Sequence, residues 1–395
     1  MPVPWKKSLA LLSGAQAISQ SVSVFIMTLS SIAGAFLSTD SRMVTIPVAA
    51  VILGTLLGLF PSAAWMAVKG RRSGFRIGTA FGLLGALIVV LGLSQRNIWV
   101  FAAGHLFIGF QQGAFQYLRF AAGETVPITH KSKGISLVLA GGVIAAFLGP
   151  WIAHWSRSQG LETLWGLAYG PLLILYSFMI LIFVFLPELS SQGPHPLNGT
   201  TKRPPRKLRF IITQLPYLQA LLGSVVGYAI MILLMTATPL SMGHSGHSSA
   251  DTSWVIQWHV LGMFVPSFFT GSLIKKFGHR PILLLGILAL GADALTVLLL
   301  PGLWGYWLSL TLLGIGWNFL YIASTSRLTG TYRPEEKEKA QAFHDVVVFT
   351  INVAATYAAA HLLKVLGWET LHLGMIPMVI ISGAFILWPR KKNLL

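Results

Sequence analysis

Long apolar segments recur along almost the whole chain, and the short connections between them hold most of the charged residues. Hydrophobic residues fill 54% of the 395 positions and charged residues only 10%, whereas about 25% of the residues in a soluble domain are charged. The pattern excludes a water-soluble fold. Because a helix needs about 20 apolar residues to cross a bilayer, the chain has room for about twelve such helices and none for a soluble catalytic domain. We therefore expect a membrane protein that is not an enzyme.

Breaks at charged and Pro/Gly-rich connections predict an all-α membrane protein with twelve transmembrane helices. The first six predicted spans are approximately residues 9–36, 44–68, 75–94, 97–124, 132–157 and 164–186. The second six are approximately residues 215–241, 252–275, 280–300, 303–329, 338–363 and 367–389. The spans predict two six-helix bundles, residues 1–190 and 214–395, joined by a basic cytoplasmic linker over residues 191–213.

The connections on the two sides of the predicted bundles differ in charge. When alternate connections are assigned to opposite sides, 22 of the 28 Lys and Arg residues fall on the side of the N-terminus and four on the other. Positively charged loops stay in the cytoplasm, so we expect a bacterial inner (plasma) membrane protein with both termini cytoplasmic. The position of the charges accounts for the net charge of +17 without a nucleic-acid partner.

The two halves of the sequence repeat each other. Residues 108–127 and 315–334 both run from Ile-Gly to Pro, at an offset of 207 residues. Residues 69–72 and 277–280 both place a basic residue two positions after a Gly, at an offset of 208. Transporters commonly duplicate a helical bundle, and the agreement of the two offsets favours six helices in each half.

The tight Gly-basic connections resemble the loop signature of the major facilitator superfamily. The usual Asp three residues before the Gly is replaced by Ala67 in the first half and by Lys275 in the second. Residues 316–321 (GWNFLY), 332–337 (YRPEEK) and 341–345 (QAFHD) are similar to a bacterial branch of that superfamily which contains riboflavin transporters. The resemblance implies a major facilitator fold that opens alternately to each side, with the first, fourth, seventh and tenth helices lining a central cavity.

Polar side chains in the first and fourth spans are candidates for the cavity wall. Gln16 and Gln20 lie one helical turn apart, and Gln112, Gln116 and Arg119 follow at i, i+4 and i+7. Hydrogen bonding between helices is the alternative role for such glutamines. A cation at the depth of Arg119 must be compensated, by an anionic substrate group, by a carboxylate of a gate, or by reaching the aqueous end of its helix.

The second half offers aromatic and amide side chains for a flat, polar ring. Trp317, Asn318 and Tyr321 share one face of the tenth span. Tyr228 of the seventh span and Asn352 of the eleventh complete this predicted substrate set. Packing is the alternative role for the aromatic residues.

Carboxylates within or at the edge of spans are candidates for carrying a coupling proton. We expect Asp345 and Glu124 to take this role, with a structural ion pair from Asp345 to Arg119 or Arg327 as the alternative. The resemblance implies gating roles for Arg71, Arg72 and Arg280, because the arginines of this loop signature pair with helix ends and a carboxylate.

The sequence lacks a P-loop and therefore predicts a secondary active transporter. We expect it to import a small polar organic solute, such as a flavin or another ring-containing metabolite, by proton symport. The alternative is an exporter of drugs or siderophore-like organic anions by proton antiport, which Arg119 and Gly149-Pro150 favour. The expected partners are the solute, H+ and the lipid bilayer, for a monomer that has no cofactor and no metal site.

Overall fold

The computed structural model describes residues 5–38, 43, 46–158, 168–189 and 204–388, and every regular element among these residues is helical. Most of the predicted linker, residues 191–203, lies outside the described residues, as do both chain ends at residues 1–4 and 389–395. The expectation for the termini therefore stays a prediction.

Among the described residues, twelve helical segments follow the predicted spans one for one, and a short helix, Leu208–Ile212, precedes the seventh of them. In the first half they are α1 (Trp5–Leu37), α2 (Ile46–Lys69), α3 (Arg71–Ser94), α4 (Ile98–Phe115 and Leu118–Thr125), α5 (Lys131–Ala140 and Gly142–Ser158) and α6 (Gly170–Phe185). In the second half they are α7 (Leu215–His244), α8 (Ser249–Phe264 and Ser267–Phe277), α9 (His279–Leu299), α10 (Gly302–Leu328), α11 (Lys337–Leu366) and α12 (Trp368–Leu387).

Within the described residues, nine helices are long and apolar enough to cross a membrane. The remaining three segments are α4 and α8, each interrupted once, and the shorter α6. The interruption in α8 falls at Val265-Pro266, where a proline cannot continue the hydrogen-bond ladder. The predicted all-α membrane fold is confirmed.

The chain divides into two compact units. Unit 1 contains Met1–Pro127, Gly141–Gly193 and Gln341–Val346, and unit 2 contains Ile128–Ala140, Pro194–Ala340 and Val347–Leu395. Each unit thus takes one short segment from the opposite half of the sequence. The predicted division at residues 190 and 214 stays a prediction.

The repeated Gly-basic turns have the same backbone conformation in both units. Gly70 precedes α3 with φ of 82°, and Gly278 precedes α9 with φ of 85°. This left-handed region of backbone space favours glycine, so the glycine of the repeated pattern has a conformational reason in each half.

Glycines bring α2 and α4 of unit 1 into backbone contact. A Cβ atom at Gly54 would lie 2.1 Å from the carbonyl oxygen of Leu106, and one at Gly109 would lie 2.2 Å from that of Val51. Gly58 and Gly113 lie one turn further along the two helices and are equally constrained. Small residues four apart let membrane helices approach closely, so this pairing fixes the position of α4.

The described part of the predicted linker, which begins at residue 204, is anchored in unit 2. The Arg206 guanidinium donates to the Glu336 carboxylate at 2.7 and 2.9 Å, and the Arg206 backbone N–H donates to the same carboxylate at 2.8 Å. The Glu336 carboxylate, through these hydrogen bonds, raises the pKa of Arg206. This double contact joins the end of the linker to the turn that precedes α11.

We predict that Gly109→Ala lowers the free energy of unfolding by about 1–3 kcal/mol, because the added methyl group forces two backbones apart. The measurement is the thermal unfolding midpoint of the purified protein. Gly374→Ala in α12 is the control, since a Cβ there would meet nothing within 4 Å. Equal midpoints for the two variants would contradict the close packing of α2 and α4.

Candidate functional site

A buried ion pair lies at the centre of the polar groups of unit 1. Nη2 of Arg119 on α4 contacts Oδ1 of Asp345 at 2.5 Å, and the two side chains are 2% and 1% exposed. Asp345 lies on the short part of α11 that belongs to this unit. The pair with Arg119 is one of the two that the sequence allowed for Asp345.

The two oxygens of the Asp345 carboxylate differ in their contacts. Oδ1 accepts from Arg119 and also from Nδ1 of His344 at 2.8 Å, whereas the buried Oδ2 has no hydrogen-bond partner. A buried carboxylate oxygen without a donor is uncommon and calls for an explanation. Oδ2 is the atom of this group that is open to a proton or to a donor from a ligand.

Gln116 joins the same cluster at the interruption of α4. Nη1 of Arg119 donates to the backbone oxygen of Gln116 at 2.6 Å and to its side-chain Oε1 at 3.1 Å. The Arg119 guanidinium also lies 4.4 Å from the centre of the Phe120 ring. The helix break, Gln116, Arg119 and Asp345 therefore form one connected polar cluster.

A second ion pair in unit 1 uses Arg71 at the start of α3. Its Nη2 donates to Glu124 Oε1 at 2.8 Å and to Gln341 Oε1 at 2.6 Å. The Arg71 side chain is 2% exposed and that of Glu124 is 15% exposed. Arg71 and Arg119 thus hold the segment Gln341–Val346 at two points, one turn of α11 apart.

Arg72 and Arg280 occupy equivalent positions in the two repeats and make equivalent contacts. Arg72 donates to the backbone oxygen of Val184 at 2.9 Å, in the last turn of α6. Arg280 donates to the backbone oxygen of Trp388 at 2.8 Å, directly after α12. A cation at a helix C-terminus satisfies carbonyl groups that have no partner in the helix. These contacts stabilise helix ends, and the predicted gating roles stay predictions.

The predicted glutamines of unit 1 have different surroundings. Gln112 is half-buried on α4, and its buried Nε2 has no hydrogen-bond partner. Gln16 on α1 is buried and Gln20 is half-buried. The neighbouring Gln111 instead accepts from the Tyr176 hydroxyl at 3.0 Å and donates to Ser19 at 3.3 Å, so its amide ties α4 to α6 and α1.

Unit 2 brings three of the predicted aromatic residues together. Trp317 and Tyr321 of α10 stack at 4.9 Å with an interplanar angle of 25°, and Tyr228 of α7 meets both rings edge-on at 5.2 and 4.9 Å. Phe264 and Phe349 extend this aromatic cluster. The buried Trp317 Nε1 has no hydrogen-bond partner, although a buried indole N–H usually finds one.

The two predicted asparagines of unit 2 differ in how far their amides are hydrogen-bonded. Asn318 donates to the Met263 carbonyl and to Ser267, both at 2.6 Å, and accepts from Thr270 at 2.8 Å. Its amide therefore spans the proline break in α8, which favours a structural role over the predicted substrate contact. Asn352 on α11 is buried and its Oδ1 has no hydrogen-bond partner.

Two buried histidine clusters were missed by the sequence reasoning. In unit 1, His105 donates from Nδ1 to the Phe101 carbonyl at 2.8 Å, and its Nε2 contacts the Ser30 hydroxyl at 2.7 Å. In unit 2, Nδ1 of His372 lies 3.5 Å from Oδ1 of Asp293. Ser30 and Asp293 lie on other helices, far from His105 and His372 in the sequence, so no local pattern indicates these contacts.

We predict that Asp345→Leu lowers the free energy of unfolding by about 3–5 kcal/mol, because it leaves the buried Arg119 charge without its carboxylate. The double variant Arg119→Met with Asp345→Leu should lose less than the sum of the single changes. Thermal unfolding of the four proteins measures the coupling. Glu338→Gln is the control, since Glu338 contacts Lys337 at 3.7 Å in a partly exposed pair. Additive losses in the cycle would contradict a coupled pair.

Two sequence comparisons match this chain to major facilitator proteins. The sequence model of the Major Facilitator Superfamily matches residues 220–394. The chain is 33% identical over 376 residues to the riboflavin transporter RfnT of Brucella anthropi. The alignment covers 95% of this chain and 93% of the relative.

Solved structures show the same fold at low sequence identity. The human organic anion transporter MFSD10 (TETRAN) superposes with a TM-score of 0.74 at 14% identity, over 97% of this chain and 100% of that one. The E. coli fucose:proton symporter FucP superposes with a TM-score of 0.74 at 13% identity, over 98% and 99% of the two chains.

Proposed function

The chain belongs to the major facilitator superfamily, and we propose that it imports a flavin or a similar ring-containing metabolite by proton symport. It is a multi-pass membrane transporter of small molecules and not an enzyme. The inward direction, the coupling to a proton and the flavin as solute are proposed. We further propose that the transporter lies in the bacterial inner membrane as a monomer with both termini in the cytoplasm. We also propose that it has two bundles, residues 1–190 and 214–395, joined by the linker.

The observation that carries the proposed substrate is the aromatic cluster of unit 2. Trp317 is 2% exposed, so its indole N–H is shielded from water, and it has no acceptor in the protein. An unpaired buried donor costs about 1–3 kcal/mol, which a ligand acceptor would recover. A flat heterocycle with carbonyl groups at its edge offers both a stacking face and such an acceptor.

Further unpaired amide atoms support a ring with both donors and acceptors. In unit 1, Gln112 Nε2 lacks an acceptor, and in unit 2, Asn352 Oδ1 lacks a donor. A site built to hydrogen-bond a solute discriminates strongly against analogues that lack the matching groups. We propose that Gln112 Nε2 and Asn352 Oδ1 are substrate-binding atoms of their units, and the substrate roles of Gln16, Gln20, Gln116, Arg119, Tyr228 and Tyr321 stay predictions. The similarity to RfnT over 95% of the chain supports a flavin as that ring.

The proposed proton site is Oδ2 of Asp345. A proton on this atom removes the negative charge that holds Arg119 and therefore loosens the contact between α4 and α11 at 2.5 Å. Arg71 with Glu124 holds the same segment of α11 through Gln341. We propose that Asp345 carries the proton, and that Glu124 and Arg71 release and re-form their pair as the transporter opens.

We predict that Trp317→Ala raises the KM for riboflavin about tenfold, because it removes a stacking surface and a hydrogen-bond donor. Trp317→Phe, which keeps a ring and loses only the N–H, should raise it by roughly threefold to tenfold. Uptake of labelled riboflavin into proteoliposomes measures both.

Trp304→Phe is the control for the same helix, because Trp304 is 63% exposed. Unchanged KM values in both Trp317 variants would remove the aromatic cluster from the substrate site. Riboflavin transport that runs only outward in oriented vesicles would favour the exporter alternative.

We predict that Asp345→Asn abolishes the stimulation of uptake by an inward proton gradient and leaves exchange of labelled for unlabelled riboflavin in place. The amide keeps a hydrogen-bond acceptor for Arg119 and cannot carry the proton. Uptake with external pH set below internal pH, compared with uptake at equal pH, gives the gradient effect.

Glu188→Gln is the control for this experiment, since Glu188 is exposed after the end of α6. Gradient-driven uptake that survives Asp345→Asn at the wild-type level would exclude Asp345 as the proton carrier. Loss of the stimulation by the proton gradient in Glu188→Gln would equally contradict the assignment of Asp345 as the proton carrier.

A further inference from the structure

Unit 2 contains a buried acid that the proposed transport mechanism does not use. Asp293 on α9 is buried, and its Oδ1 accepts a hydrogen bond from the Ser309 hydroxyl of α10. Nδ1 of His372 on α12 lies 3.5 Å from the same oxygen. Within the described residues, His372 is therefore the ion-pair partner of this carboxylate.

The charge of the His372–Asp293 pair depends on one proton. An ionised carboxylate beside a neutral imidazole leaves a negative charge in an apolar interior, which is costly. One proton on His372, or on Asp293 itself, removes that net charge. Asp345 of unit 1 differs, because its partner Arg119 is a permanent cation.

The His372 ring is able to take up or release this proton. The side chain is fully buried, and neither ring nitrogen makes a hydrogen bond. Buried polar groups usually have such partners. The ring instead packs against the Trp368 ring, with the two ring centres 4.4 Å apart. Because no hydrogen bond holds either nitrogen, a change of protonation breaks none.

A cavity of about 620 Å³ lies one helical turn from the pair. Each of three helices contributes one residue to the cavity lining and, four positions deeper in the helix, one member of the buried cluster. These residues are Val297 and Asp293 on α9, Gly305 and Ser309 on α10, and Trp368 and His372 on α12. Residues four apart share a helix face and lie about 6 Å apart along its axis. The pair therefore lies directly beneath the cavity.

The rim of this cavity is accessible to solvent. It is formed where α10 and α12 begin, and its exposed lining residues include Gly302, Gly367, Glu369 and Thr370. Tyr306, which also lines the cavity, is buried and packs on Trp368. Water that enters the cavity thus comes within one helical turn of the buried pair.

The other ionisable groups around the pair include no permanent cation. His259 on α8 interacts electrostatically with Asp293, and its Nδ1 contacts the Leu310 carbonyl at 2.8 Å. The ionisable residues in the cavity lining are His247, Tyr306 and Glu369. Among the described residues that line the cavity or contact the pair there is no lysine or arginine, so a proton is what balances the Asp293 charge.

We propose that His372 and Asp293 form a proton-binding site that exchanges its proton with water in this cavity. Loading passes one proton from a hydronium ion to the pair and leaves a water molecule, so the pair goes from one negative charge to none. Unloading returns the proton to water. The site lies in unit 2 and does not involve Asp345, so it stands or falls independently of the proposed function.

Infrared difference spectra of the purified full-length protein at stepped pH test the site, because carboxyl and imidazole bands change when these groups gain or lose a proton. We expect the wild type to show pH-dependent bands that are lost in both Asp293→Asn and His372→Gln. Loss of the same bands with either change is the signature of one proton shared by two groups.

The variants separate protonation from packing. Asp293→Asn keeps an acceptor for the Ser309 hydroxyl and removes only the ionisable group. His372→Gln tests the pair by itself if Asp293→Asn does not fold. Glu369→Gln is the control, because Glu369 is an exposed carboxylate of the same cavity and its change should remove only its own band.

A single introduced cysteine tests the route through the cavity, since the sequence contains no cysteine. Thr370→Cys, modified with a bulky thiol reagent, should slow the appearance of the bands after a pH jump severalfold. Ala250→Cys with the same reagent is the matched control, because Ala250 is exposed at the start of α8 and lies outside the cavity lining.

Two results would overturn the proposal. One is a set of pH-dependent bands that Asp293→Asn and His372→Gln both leave as in the wild type, which would mean that the pair keeps its protonation fixed. The other is an equal rate of band appearance in the modified Thr370→Cys and Ala250→Cys proteins, which would move proton exchange away from this cavity.

Discussion

Charge buried in an apolar interior must be balanced, and the polar contacts of unit 1 follow from this requirement. Arg119 and Arg71 have almost no exposed surface, and each meets a carboxylate at hydrogen-bond distance. An unbalanced charge in such surroundings costs several kcal/mol. The cost ties a short segment of α11 to α3 and α4, so two ion pairs decide which unit that segment joins.

Close helix packing makes these pairs possible. Gly54 and Gly109 let the backbones of α2 and α4 touch, which fixes α4 and so the position of Arg119 along it. Without a hydrophobic force between helices in lipid, packing of small residues and polar contacts determines which helices pair. The interruption of α4 then turns the Gln116 carbonyl towards the Arg119 guanidinium at 2.6 Å, so the polar cluster is a consequence of the helix geometry.

The fold of the two repeats is shared, whereas their chemistry has diverged. Gly70 and Gly278 have matching backbone conformations, and Arg72 and Arg280 both bind the end of the last helix of their unit. In unit 1, Gln116, Arg119 and Asp345 are in contact. In unit 2, Trp317 stacks on Tyr321, and Tyr228 packs against both rings. The two halves of a duplicated scaffold therefore carry clusters of different chemistry.

Apolar length and the distribution of Lys and Arg determined by themselves that the chain forms helices which cross a membrane, because every backbone polar group in lipid must be satisfied within its own helix. The repeated Gly-basic turns likewise needed only local backbone sterics, because the positive φ of Gly70 and Gly278 favours glycine. Only the tertiary structure decided which side chains pair. The sequence allowed an ion pair from Asp345 to Arg119 or to Arg327, and the position of α4 brings Arg119 to the carboxylate. The sequence predicted Asn318 as a substrate contact. In the structure its amide donates to the Met263 carbonyl at 2.6 Å, beside the break in α8. A side chain in a membrane helix bonds to whatever the neighbouring helix presents at the same depth, and that neighbour is set by packing between segments far apart in the chain.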